Sequence, residues 1–329
     1  MNKPLKKGYT TGVHASFAFW SALSIFLSLN KTTTSKTKKM DNDDLDVTKG
    51  AKIVVTISNS KRDLKLNPIP HQPYILGNLK LFAGEGVGVV TKKGLKPPKG
   101  FPAINPTPLE SIEKIYKKFG KKREIFASIG VTNGEKIAKE TANLKVGVVG
   151  GISILGTTGF VKPISATAYL DSIRTEIEFA YKNGFREVIF TLGNSSFEFA
   201  KKNYKIEQII EIGNFIYDSF KIAEEVGFKR VILILGIGKA VKVAQGFKNT
   251  HNRFGSIDFL LLKGVIRENL NIEIEKEVKT VKRVVSILKE YQKDKKFYNL
   301  VEKLATKRLN SWFKIDISIN IINETNTKK

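Results

Sequence analysis

Hydrophobic and polar residues alternate in two different ways along the chain, and the change falls near residue 145. After it, short apolar runs such as REVIFTLG and KRVILILGIG alternate with segments in which apolar residues recur at helical spacing. Ile173 and Ile177 would share one face of such a helix, which Gly184 would end. Apolar strands that alternate with helices are typical of a parallel sheet covered on both faces. The pattern therefore predicts a doubly wound, mostly parallel α/β domain over residues 145–329.

The first half of the chain is more irregular. The apolar run from His14 to Leu29 predicts a buried helix that is capped by Thr10 or Thr11. KIVVTIS has the β-branched composition of a strand, whereas the polar residues 30–44 show no apolar periodicity and predict a loop. Glycine- and proline-rich segments such as GEGVGVVT and KPPKGFPAINPTP interrupt the remainder. We expect an N-terminal α+β domain over residues 1–144 with Gly/Pro-rich loops, and α/β as the fold class of the whole chain.

The apolar run near the N-terminus also has the outline of a targeting signal, because Lys3, Lys6 and Lys7 precede it. Gly8–Gly12 separates these lysines from the run, however, and no clear small-x-small cleavage site follows Leu29. The run is short for a membrane span and contains several serines. We therefore expect a cytoplasmic protein that has no membrane partner.

The charge and the cysteine content limit the classes of function. The chain carries 56 Lys and Arg against 31 Asp and Glu, a formal net charge of +25, which attracts polyanions such as nucleic acid, an acidic membrane or a small molecule with many carboxylates. The absence of cysteine excludes disulfides, thiolate metal sites and a cysteine nucleophile. The three histidines, His14, His71 and His251, are too few for a histidine-rich metal site but leave a catalytic histidine possible.

Three glycine-bearing polar loops follow predicted strands, at Gly150–Gly159, Gly193–Ser196 and Gly236–Lys239. Ligands of open α/β sheets bind beyond the carboxyl ends of the strands. Glycines let the backbone approach a ligand, and a following helix N-terminus favours negative charge. One such loop alone is better explained as a strand-to-helix turn, but three together favour a ligand site. The third loop is not a phosphate-binding loop, because Leu233 and Ala240 stand where glycine and a hydroxyl residue are needed.

Two polar clusters add candidate residues. THNR places His251 between Asn and Thr, with Arg253 two residues on, and leaves a structural and a functional role evenly balanced. The acidic residues Asp41–Asp46 lack the glycine and glutamate of a calcium-binding loop, so a solvated acidic loop is slightly favoured there.

Several longer motifs occur in order over most of the chain. They are GYTTG (8–12), DDLDVTKGA (43–51), GEGVGVVTKKGL (84–95), PAINPTP (102–108), GVVGGISILGTTGFVKPIS (147–165), TLGN (191–194), GIGKAVKVAQG (236–246) and THNR (250–253). Together they resemble the cobalt-precorrin-5B C1-methyltransferases of anaerobic cobalamin synthesis.

The resemblance implies a reaction and its ligands. Members of this family transfer a methyl group from S-adenosylmethionine to ring carbon 1 of cobalt-precorrin-5B, which gives cobalt-precorrin-6A. The partner would be this small tetrapyrrole and not a nucleic acid. Its acetate and propionate groups would be attracted by the positive charge of the chain. Cobalt arrives with the substrate, so no metal ligand from the protein is expected. The oligomeric state stays open, with a homodimer as one option, and the N-terminal domain is expected to contribute to the substrate site.

The resemblance also assigns roles to residues of the motifs. His251 and Asp46 are the candidates for proton handling, on side-chain chemistry and motif membership. The candidate substrate contacts are Thr10, Thr11, Asp44, Thr48, Asn105, Lys239, Thr250 and Arg253. The candidate cofactor contacts are Gly150, Gly151, Ser153, Gly156, Thr157, Thr158, Gly159, Gly193 and Asn194. The sequence leaves open whether the two sets should be exchanged.

Departures from the family pattern keep two alternatives open. Val13 and His14 follow GYTTG where the family often has a small polar residue and cysteine, and Lys49 stands where histidine is common. Leu235 and Gly236 replace the usual Gly-His before the Gly-Lys pair. A degenerate homologue that binds a corrin without methylating it is therefore one alternative. A basic nucleic-acid-binding protein is the other, although its lysines should gather on one face and here they are scattered.

Overall fold

The computed structural model describes residues 7–41, 47–120, 123–156, 159–161 and 166–322. The chain forms two compact units, Met1–Ala166 (unit 1) and Thr167–Lys329 (unit 2). Both contain helices and sheets, which confirms the α/β class. The described residues between 145 and 161, which the sequence analysis assigned to the second domain, make their strand pairs inside unit 1.

Unit 1 is built around a mixed sheet. Its helices are α1 (Thr11–Leu29), α2 (Pro106–Phe119) and α3 (Gly134–Ala138). Its strands are β1 (Gly8–Tyr9), β2 (Thr33–Lys38), β3 (Lys52–Ser58), β4 (Tyr74–Leu76), β5 (Leu79–Ala83), β6 (Gly86–Val87), β7 (Val89–Val90), β8 (Ile125–Val131), β9 (Val148–Val149), β10 (Gly151–Ile152) and β11 (Phe160–Val161). Five of them form one sheet in the order β2-β3-β8-β5-β4, in which only β5 and β8 run parallel.

Helix α1 belongs to the core of unit 1. It begins after Thr10, whose side chain accepts a hydrogen bond from the Val13 N–H, so the expected cap is confirmed. Phe19, Leu23 and Phe26 are fully buried in one cluster with the apolar residues of β3 and β8. By length and composition α1 is apolar enough to cross a membrane, and 44% of its most apolar window is buried inside the protein. Burial against the sheet therefore accounts for one face of the helix, while Phe17, Trp20, Ile25 and Leu29 of the same helix are exposed.

Two expectations for unit 1 were wrong in detail. The expected loop at residues 30–44 contains β2, an edge strand whose threonines pair with β3. Threonine favours strands although it is polar, so apolar periodicity was the wrong criterion there. Helix α2 begins at Pro106, inside the proline-rich segment KPPKGFPAINPTP that was expected to interrupt regular structure. Proline fits the first helical turn because its missing N–H has no partner to lose there.

Unit 2 contains an all-parallel sheet. Its strands are β12 (Glu187–Thr191), β13 (Ile209–Glu211), β14 (Arg230–Gly236) and β15 (Asp316–Ile322), and its helices are α4 (Ala166–Lys182), α5 (Asn194–Asn203), α6 (Ile216–Val226), α7 (Ile237–Ala244), α8 (Phe259–Leu270), α9 (Val281–Glu290) and α10 (Asp294–Asn310). The strand order is β13-β12-β14-β15. The chain leaves β12 toward β13 and later returns to the other side of β12 as β14. The order therefore reverses between β12 and β14.

Alternate residues of these strands face two separate cores. Phe190 and Leu233 lie in the larger cluster with α4, α6, α7 and the helices that follow. Ile189 and Ile234 lie in the smaller cluster, which α5 covers through Ala200. The sheet is thus covered on both faces, as the continuous apolar runs in the sequence require.

Candidate functional site

A large cavity lies at the carboxyl edge of the parallel sheet in unit 2. Its volume is about 1580 Å³. Its lining includes Gly193–Ser196 after β12 and Gly236–Lys239 after β14, the strands between which the order reverses. In open α/β sheets, that reversal opens a crevice where ligands bind. Two of the three predicted loops therefore meet at one site, because their strands are neighbours.

Glycines leave the backbone of these loops uncovered by side chains where the loops face the cavity. Gly193 has φ +91°, and a Cβ built on Gly193, Gly236 or Gly238 would have no atom within 4 Å. Helices α5 and α7 begin directly after Gly193 and Gly236, and neither has a side-chain cap. Their first N–H groups therefore have no intrahelical partner. A bound ligand can approach this backbone closely.

Lys239 is the half-buried cation of α7 at this edge. The described residues give its ammonium no hydrogen bond and no ion pair. Burial lowers the pKa of Lys239 below its usual value, and the positive charge of Lys242 lowers that pKa further. An ammonium that is partly removed from water and held near a second cation gains from an anionic ligand.

Lys242, one turn further along α7, holds the THNR loop in place. Its side chain is buried, at 7% exposure. Its Nζ donates to the Thr250 carbonyl at 3.1 Å, to Asn252 Oδ1 at 2.8 Å and to the Gly255 carbonyl at 3.1 Å. Thr250 Oγ1 in turn donates to Asn214 Oδ1 at 2.9 Å, which ties the loop to the end of β13. The sequence analysis did not identify Lys242, whose signal is its position one turn after Lys239 inside the GIGKAVK motif.

His251 lines the same cavity in a defined orientation. The Arg253 N–H donates to His251 Nδ1 at 3.1 Å. Nδ1 is therefore unprotonated, and the neutral imidazole carries its proton on Nε2. Arg253 itself does not line the cavity, and its guanidinium lies 4.6 Å from the centre of the Phe254 ring. His14 and His71, in unit 1, each accept a hydrogen bond from a backbone N–H.

Helices α9 and α10 form another wall of the cavity, for which the sequence predicted no function. In all, the described lining residues include six lysines and two carboxylates. The lysines are Lys239, Lys242, Lys279, Lys282, Lys289 and Lys295, and the carboxylates are Asp294 and Glu302. Burial raises the pKa of Glu302 above its usual value. The cavity is strongly cationic.

A second, smaller site lies in unit 1, where the GYTTG motif meets residues 155–161. Strands β1 and β11 pair antiparallel, and the Thr10 N–H donates to the Gly159 carbonyl at 3.0 Å. Thr11 Oγ1 donates to the Leu155 carbonyl at 3.2 Å and accepts from the Leu155 N–H at 2.9 Å. A cavity of about 510 Å³ beside them is lined by Thr10, Gly156, Gly159 and the exposed rings of Phe17 and Trp20.

Other predicted cofactor contacts are engaged inside unit 1. A Cβ on Gly150 would lie 2.6 Å from Asn67 Nδ2, and a Cβ on Gly151 would lie 2.2 Å from the Gly86 carbonyl oxygen. Ser153 Oγ donates to Asn143 Oδ1 at 2.8 Å. Close packing thus accounts for these residues, and none of the three lines either cavity described above.

The remaining candidates are not among the residues that line the large cavity, or they lie outside the described residues. Asn105 precedes α2, and its N–H donates to the Ile154 carbonyl at 3.0 Å. Thr48 Oγ1 accepts from Lys39 Nζ at 2.6 Å. Asp44, Asp46, Thr157 and Thr158 lie outside the described residues. Among the residues that the structure describes, no three His, Asp or Glu side chains form a group suited to hold a metal ion.

The fold and the site define an α/β protein with a large cationic ligand cavity at the strand-order reversal of a parallel sheet. Comparison with known proteins gives the family. The CbiD family model matches residues 27–163. A curated relative from Methanococcus maripaludis strain C5, named cobalt-precorrin-5B C(1)-methyltransferase, is 38% identical over 75% of this chain and 73% of its own length. The chain belongs to this family, which confirms the resemblance seen in the motifs.

Further relatives extend the match to nearly the whole chain. The protein of the same name from Methanocaldococcus jannaschii is 31% identical over 98% of this chain and 94% of its own length. The one from Geobacillus sp. strain WCH70 is 35% identical over 81% and 78%. A crystal structure of a cobalamin biosynthesis protein from Archaeoglobus fulgidus, 24% identical, covers 70% of this chain and 76% of its own with a TM-score of 0.34.

Proposed function

We propose that this chain methylates ring carbon 1 of cobalt-precorrin-5B, with S-adenosylmethionine as the methyl donor and cobalt-precorrin-6A as the product. Its membership in the family supports the reaction. The observation that carries the proposal is the cationic cavity of unit 2, where the TLGN, GIGK and THNR motifs meet at one edge of the sheet. This location for the reaction is our inference from the geometry.

The size and charge of the cavity suit a large polyanion. Its volume of about 1580 Å³ exceeds the roughly 300–1,000 Å³ that is usual for one drug-sized ligand. The excess of lysines over carboxylates matches the acetate and propionate groups of a corrin precursor. Ammonium groups attract such a substrate at long range and pair with its carboxylates on contact.

Methyl transfer requires donor and acceptor in one cavity, because the reacting atoms must approach to about 3–3.5 Å. The volume of the unit 2 cavity allows both ligands. We assign Gly193 and Asn194 to the donor, since the bare backbone there can receive its polar groups, and Lys239 and Thr250 to the substrate side. When bound, S-adenosylmethionine supplies an activated methyl group. The residues of the chain bind and align the partners, which can lower a barrier by about 7–11 kcal/mol.

The orientation of His251 narrows its role. Because His251 Nδ1 accepts a hydrogen bond from the Arg253 N–H, the Nε2–H group is the one that can donate a hydrogen bond to a ligand in the cavity. We propose that His251 donates a hydrogen bond to the substrate in this conformation and does not act as a base through Nδ1. The proposed proton-handling role of Asp46 and the contribution of the N-terminal domain to the substrate site stay predictions. The same holds for the cytoplasmic location and for the absence of membrane and nucleic-acid partners.

The test is a turnover assay without oxygen. Purified protein is incubated with cobalt-precorrin-5B and methyl-labelled S-adenosylmethionine, and label in the macrocycle is counted. Lys239→Gln should raise the KM for the macrocycle, whereas Lys229→Gln, an exposed lysine before β14 that does not line the cavity, should leave it unchanged. Label in the macrocycle supports the proposal.

Two other outcomes separate the alternatives. Tight corrin binding without label would identify a degenerate binder. That result would fit the buried Leu235 and the side-chain-free Gly236, which occupy the places of the usual Gly-His. If neither label in the macrocycle nor corrin binding is observed, the proposal is rejected. Nucleic acid would then be the ligand to test, and its binding should fall steeply with salt.

A further inference from the structure

We propose that Lys289 of α9 and Lys295 of α10 bind peripheral carboxylates of the tetrapyrrole and set the preference of the site for substrates with many carboxylates. This inference rests on the proposed function and names residues that would recognise the substrate. Neither lysine belongs to a motif that carries the resemblance, and both stand in the C-terminal part of the chain beyond THNR.

Helices α9 and α10 each turn one face toward the cavity. The cavity-lining residues of α9 are Val281, Lys282, Val285, Ser286 and Lys289, which recur at the spacing of one helix face. Those of α10 are Asp294, Lys295, Tyr298, Asn299 and Glu302, again one face. Each helix therefore presents a continuous stripe to the cavity, while Val284, Leu288, Phe297 and Val301 are buried on its other side.

The lysines on this wall differ in whether their side chains have partners. Among the described residues, Lys289 and Lys295 have neither an ion pair nor a hydrogen bond from the side chain. Lys279, at the end of the same wall, differs, because its Nζ lies 3.2 Å from Glu277 Oε1. The ammonium groups of Lys289 and Lys295 are thus available to a ligand, and both are exposed rather than packed into the core.

The cations of the cavity come from more than one helix. Lys239 belongs to α7, beside the proposed reacting centre, and Lys289 and Lys295 belong to α9 and α10. A polycarboxylate macrocycle carries its anionic groups around its rim. Cations on three helices that line one cavity can therefore engage groups on different parts of one rim. A substrate with fewer carboxylates would leave some of these cations unpaired.

The experiment measures binding of two probes, uroporphyrin and coproporphyrin, which share a ring system and differ in the number of their carboxylates. Their fluorescence is titrated with the full chain at low and high salt. The test variant is Lys289→Gln/Lys295→Gln. The matched control is Lys296→Gln/Lys303→Gln, which removes the same charge from exposed α10 positions that do not line the cavity.

We expect the wild-type chain to bind uroporphyrin more tightly than coproporphyrin. The test variant should weaken uroporphyrin binding by about tenfold at low salt, lose most of the difference between the probes, and approach the wild-type chain at high salt. The control variant should change the dissociation constant by less than about twofold. Equal thermal unfolding of all the chains excludes a loss of structure as the cause.

The contrary outcomes are distinct from failure of the proposed function. Equal effects of the two variants, or no porphyrin binding by the wild-type chain, would overturn the inference even if methyl transfer is observed. If the wild-type chain transfers no methyl group but the test variant alone weakens uroporphyrin binding, the assignment of the two lysines stands and the proposed reaction falls.

Discussion

Lys242 Nζ lies 2.8 Å from Asn252 Oδ1 and donates a hydrogen bond to it. The same ammonium donates to the carbonyls of Thr250 and Gly255, each at 3.1 Å. One buried side chain of α7 therefore fixes both ends of the short segment that carries His251. Because α7 also carries Lys239, a single helix positions both Lys239 and the segment of His251, the two residues that we propose to contact the substrate.

Replacement of Lys242 should loosen this segment. In Lys242→Met the buried Thr250 carbonyl loses its donor, so we expect the free energy of unfolding to fall by about 1–3 kcal/mol in urea titrations. The KM for the macrocycle should rise, because His251 and Thr250 are no longer held. Lys239→Met on the same helix is the control for stability. It should leave the free energy of unfolding unchanged, since Lys239 makes no hydrogen bond in the described structure. Equal stability of the two variants would contradict this account.

Binding of polyanions should depend on pH through Lys239. Burial and the charge of Lys242 both lower the pKa of Lys239 below its usual value of 10.5. As the pH rises through this lowered pKa, Lys239 loses its charge. Affinity for uroporphyrin should therefore begin to fall below pH 10.5. The measurement is the dissociation constant as a function of pH.

Two variants check the origin of that pH dependence. Lys239→Arg keeps its charge over the whole range, so the early fall should disappear. Lys239→Gln should bind more weakly at neutral pH and show no early fall. An unchanged pH profile in both variants would mean that another group titrates.

Local pattern predicted much of unit 2, because buried parallel strands have continuous apolar sequences. Helix α4 and strands β12 and β14 lie where their runs indicated. Strand β13 was missed because Ile209–Glu211 has only three residues and continues into the polar turn before α6. The segment at 147–152 looked like a strand of the same sheet, yet β9 and β10 pair with β7 and β6 in unit 1. Local sequence indicates that a strand forms, but it does not determine which other strand it pairs with.

The candidate site was predictable to a similar extent. The glycine-bearing loops at strand ends contain Gly193, Asn194 and Lys239, which line the large cavity. The pattern could not separate such glycines from Gly150, which is required by packing against Asn67. Lysines such as Lys289 resemble solvated surface residues in the sequence, since only the fold shows which helix face meets a cavity.

A pair of glycines tests the distinction between packing and ligand binding. Gly150 and Gly193 both have positive φ, of +81° and +91°. Alanine at either position should cost about 1–3 kcal/mol of stability from the backbone alone. Gly150→Ala should cost about 1–3 kcal/mol more, because its Cβ would meet the hydrogen-bonded amide of Asn67, while Gly193 has open space.

Their effects on catalysis should be the reverse. Gly193→Ala should raise the KM for S-adenosylmethionine, since its Cβ would stand where the donor is proposed to approach the backbone. Gly150→Ala should leave that KM unchanged in the fraction that remains folded. Urea unfolding and steady-state kinetics on both variants give the two readouts. If Gly150→Ala raises the KM without a loss of stability, the sequence-based assignment of Gly150 to the cofactor is right.

Thr11 in unit 1 also tests packing against ligand binding. Its hydroxyl was expected to contact the substrate, but the residue is buried at 4% exposure. The hydroxyl is hydrogen-bonded to both the carbonyl and the N–H of Leu155. Thr11→Val keeps the shape of the side chain but leaves the Leu155 N–H without its partner. We expect a loss of about 1–3 kcal/mol in the free energy of unfolding and an unchanged KM for the macrocycle. Thr11→Ser, which retains the hydroxyl, should recover most of the stability. A stable Thr11→Val variant with a raised KM would instead show that the hydroxyl turns to the substrate during the reaction.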